Sequence, residues 1–309
     1  KRLLLTLIVI LGMVVTVKLT HWYGLQKSYR ELHQQSLLHL NNLTHYIERI
    51  LGRYEKVPEV IARHPLLSQV LSNPTDKIKT QQLNILLADL TSITQSSDIF
   101  LINTSGTTVA ASNWNLKTSF IGSDFSFRPY YLQAVNGLAG RYYAVGVIEP
   151  CQPGNDKLSE LFDHLMMFWT NQQRNAAVIL GVIVVKVSID SIEHQREQNF
   201  VDDQFHFLIT APDDVIFISD RSDWQLKTFG VLDQQKNQLI TASKRYGKRV
   251  ITPLSIKDIL TSELPTSLPA KGVEVNSRGK TERYFAIQAK MPDANWKVHI
   301  WSSLLPVEE

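Results

Sequence analysis

Residues Ala176–Ser188 read AAVILGVIVVKVS, and the fold turns on this stretch. It is rich in β-branched residues and shows no alternation of apolar and polar positions. Such a run suits a strand buried on both faces, in the middle of a sheet rather than at its edge. Lys186 is its single charge. It shares one strand face with Val182 and Val184, while Val185 and Val187 flank it on the other. A lysine so placed either snorkels out at the strand end or points into a cavity and meets an anion.

The segments around this strand complete one αβ domain. Upstream, Asp98–Asn103 (DIFLIN), a Thr104-Ser105-Gly106 turn and Thr107–Ser112 form a hairpin pattern. Arg128–Gly137 (RPYYLQAVNG) reads as a short helix with proline in its first turn and glycine at its end. Gly140–Val147 (GRYYAVGV) is a strand, and Ile189–Gln198 is a helix that leaves the domain. A smaller αβ unit follows. Gln204–Thr210 and Val215–Asp220 flank a turn at Ala211-Pro212-Asp213-Asp214. Leu232–Arg245 is a polar helical crossover. Three late strands fit Gly272–Ser277, Thr281–Lys290 and Asn295–Leu304, with turns at Ser277–Lys280 and Met291–Ala294. The order hairpin, helix, antiparallel strands occurs twice, without similarity of sequence.

Toward the N-terminus, Leu3–Val17 (LLLTLIVILGMVVTV) is uncharged and follows Lys1-Arg2. It is slightly short for a span of about 20 residues. A cleaved signal peptide has the same profile, but no small-residue cleavage site follows. Trp22 and Tyr23 suit a membrane interface, and the leading basic pair points to a cytoplasmic N-terminus. The stretch is therefore expected to be an uncleaved anchor, residues 1–23, with everything after about residue 24 outside the cytoplasm. The sequence opens without a methionine and is expected to be part of a longer chain. Leu25, Tyr29, Leu32, Ser36, Leu40, Leu43, Ile47, Ile50 and Tyr54 recur in steps of three and four, so one long amphipathic helix is expected to end near Val57-Pro58. Two shorter helices follow, Pro58–Leu71 and Asp76–Ile93, broken at Asn73-Pro74-Thr75. The domain limits so drawn are residues 24–95 for the helical part, 96–200 for the first αβ domain and 201–305 for the second.

Composition excludes more than it suggests. The chain has 309 residues, a net charge of +3 and one cysteine, Cys151. No intrachain disulfide or cysteine-rich zinc site can form, and no dense basic run points to nucleic acid. Nucleophile-elbow, zinc-protease and phosphate-loop motifs are absent, and the nine histidines are scattered. No catalytic residue, metal ligand or cofactor is therefore assigned.

Binding has two anchors. Arg128 stands directly before Pro129, at a helix start where an anion is favoured; the alternative is a solvated arginine. Lys186 is the second. An arginine can grip one carboxylate by two parallel bonds and a lysine can hold another as a point charge. Tyr130, Tyr131, Tyr142 and Tyr143 offer hydroxyls and apolar walls. That set suits a small dianion.

At these residues the sequence resembles the periplasmic sensor region of four-carbon-dicarboxylate transport sensor kinases of the DctB type. The matching motifs are Ala111–Asn115 (ASNWN), Ser119–Ala134 (SFIGSDFSFRPYYLQA), Gly140–Gly146 (GRYYAVG) and Gly181–Glu193 (GVIVVKVSIDSIE). Ser219–Gly230 and the late NWKVHIWSSLLPVE continue the likeness. The resemblance implies two tandem PAS-like αβ sensor domains with antiparallel sheets, α+β in class, behind a membrane helix and a long amphipathic helix. The membrane-distal domain, 96–200, would bind succinate, fumarate or malate. Arg128 and Lys186 would hold the carboxylates, Tyr131 and Tyr143 would line the pocket, and Tyr130, Tyr142 and Ser123 would stand around it. The chain would sit in a bacterial inner membrane as a homodimer, with a dicarboxylate transporter or a cytoplasmic response regulator as further partners through a kinase region it does not contain. A chemoreceptor ectodomain for a small organic anion and a tethered interaction module without a ligand are the alternatives. One stretch departs from the family: Val147–Asn175 carries no matching strand, and Asp156–Trp169 has the spacing of an amphipathic helix.

Overall fold

The structure is a computed structural model that describes residues 2–138, 140–144, 164–172, 179–188, 204–243, 246, 250–259, 271–277, 279–291 and 295–305. Helix α1, Arg2–Glu55, is continuous from the apolar stretch into the amphipathic one. At 54 residues it is about 80 Å long. Its N-terminal part is long and apolar enough to cross a membrane and is wholly exposed. The expected stripe is the buried one: Tyr29, Leu32, Ser36, Leu40, Leu43, Ile47 and Tyr54, with Leu51 taking the place of Ile50.

Beyond α1 the helix expected over Pro58–Leu71 is two helices, α2 (Val57–Ala62) and α3 (Pro65–Ser72). Pro65 explains the break. It pushes His64 to an extended conformation (ψ 128°), and the His64 ring then caps α3 by accepting from the Leu66 N–H at 3.3 Å. Helix α4, Lys77–Thr94, is capped by Asp76, whose Oδ1 accepts from the Lys79 N–H, and ends at Gln95 in the left-handed conformation.

The chain divides into two compact units, Tyr46–Asn199 with Leu232–Val250, and Lys1–His45 with Phe200–Val231 and Ile251–Glu309. The first holds β1 (Asp98–Asn103), β2 (Thr108–Ala111), helix α5 (Pro129–Val135), β3 (Gly140–Ala144), β4 (His164–Gln172) and β5 (Ile179–Ser188). These strands form one sheet in the order β2-β1-β5-β4-β3, with every pair antiparallel. The AAVILGVIVVKVS strand is β5, described from Ile179, and it is bonded on both edges. Gly181 within it is a steric requirement: a Cβ there would lie 2.5 Å from the Ile102 carbonyl oxygen and 2.8 Å from the Leu71 side chain.

Strand β4 corrects the expectation for Val147–Asn175. From His164 to Gln172 that stretch is a strand that fills the row between β3 and β5, not the end of an amphipathic helix. The apolar run Leu165–Trp169 serves either structure locally, and pairing on both sides decides it. Residues 145–163 and the helix expected over Ile189–Gln198 lie outside the described residues.

The second unit contains β6 (Phe205–Thr210), β7 (Ile216–Ser219), β8 (Lys227–Thr228), β9 (Thr252–Pro253), β10 (Ser255–Ile259), β11 (Lys271–Ser277), β12 (Lys280–Met291) and β13 (Trp296–Ser303). Between β8 and β9 in sequence comes helix α6, Gln234–Ser243, which belongs to the first unit. The main sheet runs β10-β11-β12-β13-β6-β7. Read from β7, its first five strands repeat the order of the first sheet, and β10 adds an edge that the sequence did not announce. Both hairpins carry a register shift at the same place, between Leu101 and Ile102 in one and between Ile209 and Thr210 in the other. Helix α1 packs on this sheet through His33 against Phe285, His39 against Phe205, and a 2.6 Å hydrogen bond between the Ser36 and Ser302 hydroxyls.

His299 on β13 is buried, with Nε2 3.1 Å from the Thr210 hydroxyl. Burial, reinforced by Lys297 and opposed by Asp214, pushes its pKa down to about 3. The folded protein therefore keeps a neutral imidazole, whereas the unfolded chain takes up a proton below about pH 6.5. The stability this contributes is complete above that pH and is lost as pH falls toward 3, at about 1.4 kcal/mol per pH unit. Urea unfolding across that range, wild type against His299→Gln, is expected to show this slope only in the wild type.

Candidate functional site

The site is built on the face of the first sheet that α5 covers. Phe100 and Ile102 of β1, Val182 and Val184 of β5, and Tyr130, Tyr131 and Ala134 of α5 form one buried cluster with Phe120 and Ala111. Lys186 lies two residues beyond Val184 on the same face. It does not snorkel. It is 6% exposed, its Nζ is 3.3 Å from Asp98 Oδ2, and it stands 5.1 Å from the centre of the Phe120 ring. Asp98 is its direct register partner across the β1–β5 ladder. Burial pushes the Asp98 carboxyl above its ordinary pKa, and the charge and hydrogen bond of Lys186 only partly offset this.

Arg128 is buried as well, at 4% exposure, which removes the solvated alternative. It occupies the N-cap position of α5 with ψ 134°. Its N–H donates to the Phe125 carbonyl and its own carbonyl accepts the first helical bond, from Leu132. The guanidinium carbon is 5.1 Å from the Phe127 ring centre. Because α5 has only seven residues, its dipole adds little, and the anion reading rests on the two buried cations themselves.

The tyrosines separate. Tyr130 is fully buried in the cluster. The Tyr131 hydroxyl donates to the Thr104 carbonyl at 2.8 Å and approaches that of Asn103 at 3.3 Å, so it anchors α5 to the β1–β2 turn. Burial and the nearby Asp124 raise its pKa, against a hydrogen bond from the Gly106 backbone. Tyr142 and Tyr143 are on β3. By register Tyr142 stands opposite Met166, which stands opposite Lys186, so Asp98, Lys186, Met166 and Tyr142 form one row across four strands. Tyr143 belongs to the next row, with Leu165 and Val187. Ser123 is half-buried, and its backbone pairs with Thr108 and Phe120.

Two residues of the site were missed by sequence reasoning: Asp98 and Phe120. Phe120 lay inside a quoted motif. Asp98 opened the first hairpin strand, but only the ladder register sets it against Lys186.

The second unit has a half-buried cation with a different fate. Arg221 donates to Glu282 at 2.6 Å, to the Tyr284 hydroxyl at 3.1 Å and to both Asp223 oxygens, and it stacks 4.6 Å from the Trp224 ring. Ser277 donates a hydrogen bond to Asp223. Burial pushes Asp223 up, yet the bonds from Arg221 and Ser277 hold it below the usual carboxylate value. The guanidinium fork is used up internally, so this is a staple rather than a receptor for an anion. Among the described residues no cluster of acids, histidines and cysteines could hold a metal ion.

A helix long and apolar enough to span a membrane, followed by two antiparallel αβ units of matching strand order, is the architecture of a tandem sensor-domain fold. It is similar to the periplasmic sensor region of DctB-type proteins. The chain is 29% identical over 238 residues to the C4-dicarboxylate transport sensor protein DctB of Pseudomonas aeruginosa, covering 75% of this chain and 36% of that protein. It is 24% identical over 287 residues to the DctB of Rhizobium meliloti, covering 91% and 42%. The crystal structure of the V. cholerae histidine kinase DctB sensor domain superposes with a TM-score of 0.73 at 25% identity, over 89% of this chain and 98% of that one. No family model matches the chain. It spans well under half the length of the two curated relatives. The apolar helix and the likeness together support an inner-membrane protein with a periplasmic domain.

The turn that Tyr131 holds is tightly specified. Gly106 has φ +88°, and a Cβ there would collide with Ser126. Gly106→Ala is expected to destabilise the fold by about 2 kcal/mol or more, and Tyr131→Phe by about 1 kcal/mol. Denaturant unfolding of the two variants should reproduce that order.

Proposed function

We propose that this chain is the extracytoplasmic sensor region of a two-component histidine kinase and that it binds four-carbon dicarboxylates. Arg128 and Lys186 each take one carboxylate, and Tyr130, Tyr131, Tyr142, Tyr143 and Ser123 line the pocket. The observation that carries the reading is the pair of buried cations, one at the start of α5 and one on the sheet face that α5 covers. In a buried setting a guanidinium or an ammonium holds a carboxylate strongly, and a small dianion brings one to each. Both relatives are C4-dicarboxylate transport sensor proteins, which supports this ligand class.

Binding would draw α5 toward β3–β5 and shift the population of two arrangements of this unit. The last turns of α1 are within reach of that shift. The Tyr54 hydroxyl donates to the Gln95 carbonyl at 3.1 Å, at the junction of α4 and β1. In the whole protein α1 would carry the displacement to the membrane and on to a kinase region, and a homodimer would pair two such helices. A cytoplasmic response regulator and a dicarboxylate transporter are the partners this reading implies.

Calorimetry with succinate tests the pocket. Arg128→Ala and Lys186→Ala are each expected to weaken binding by about tenfold to a hundredfold, the range for a lost charge-assisted hydrogen bond. Unchanged affinity in both variants would remove the assignment.

A further inference from the structure

Asp98 places a negative charge on the cation that the dicarboxylate is expected to use. We propose that Asp98 is an internal counter-ion that a ligand carboxylate displaces from Lys186, so that it sets the affinity of the site and reports occupancy to α1. The inference rests on the reading of Lys186 as a ligand anchor.

Three observations support it. Asp98 Oδ2 is 3.3 Å from Lys186 Nζ, and the two side chains differ in access, 16% exposed for the acid against 8% for the lysine. The acid is the more exposed of the two. Two carboxylates sharing one ammonium repel each other, so a bound dianion is favoured where the internal acid can leave. Burial has already made Asp98 a reluctant anion, even beside Lys186. Finally, Asp98 is the first residue of β1, at the end of a short, closely tied junction. The Ser97 N–H donates to the Lys186 carbonyl at 2.7 Å, and the Ile99 N–H donates to the Ser112 hydroxyl at 3.0 Å. Three residues before Asp98, Gln95 accepts from Tyr54 of α1 through its carbonyl and faces Arg53 through its side chain at 3.5 Å. Release of Asp98 thus acts on the turn that α1 grips.

The test is calorimetry of succinate binding to the full chain in detergent, wild type against Asp98→Asn and Asp98→Ser. Removing a competing charge is expected to tighten binding about tenfold. A residue with a merely structural role would weaken binding or leave it unchanged, and either result in a folded variant overturns the proposal while the pocket reading stands. If neither wild type nor the variants bind succinate, the pocket reading falls and this inference falls with it. Amide hydrogen exchange gives a second readout that does not need the variants. Succinate is expected to change exchange at Ser97 and Ile99 in the wild type; binding with no change there also overturns the proposal.

Discussion

Strand β5 is bonded along both edges, and the arrangement of the first unit follows from that constraint. Neighbours on each side satisfy its backbone, and Val182 to Val185 and Val187 are buried on both faces, so apolar residues dominate it. The one exception, Lys186, must find its partner within the protein. The register against β1 supplies Asp98, and the register against β4 and β3 lines up Met166 and Tyr142. Gly181 sets how closely β1 and α3 approach this strand, because any side chain there would strike the Ile102 carbonyl and Leu71. The position of the site thus follows from ladder geometry as much as from the residues that form it.

A buried ion pair is a weak source of stability, since desolvation of both charges offsets much of their attraction. The two units treat this problem differently. Arg221 meets two carboxylates and a tyrosine hydroxyl in one saturated network. Lys186 meets one carboxylate, Asp98, at 3.3 Å. A saturated network is rigid; a looser pair can be exchanged for another one.

Strong local signals carried most of the fold into view. The unbroken apolar run of β5, the two hairpins with their turns, the stripe of α1 and the three late strands are all periodic patterns that tertiary contacts reinforce. The failures have physical causes. The spacing over Asp156–Trp169 suited a helix, and only pairing with β3 and β5 made its end a strand. The strand β10 is five residues long and half polar, too short to stand out. The helix break at His64 follows from Pro65, but it sits within an apolar run whose helical spacing continues across it. At the site, Arg128 and Lys186 stood out as charges in apolar surroundings. Asp98 did not, because an acid opening an edge-like hairpin strand is ordinary until the register is known.

The matching shifts in the two hairpins turn a loose likeness into a residue-by-residue correspondence. Phe100 then answers to Leu208 and Ile102 to Thr210, so Asp98 answers to His206. Its ladder partner Lys186 answers to Trp301, which pairs with His206 across β6 and β13. Trp301 stands among Trp224, Phe229 and Tyr284. One copy of the scaffold therefore has an ammonium where the other has an indole. The indole copy fills that position with a buried aromatic ring, and the ammonium copy holds a charge that Asp98 meets. The same strand order thus carries an ion pair at one ladder position and an aromatic cluster at its counterpart.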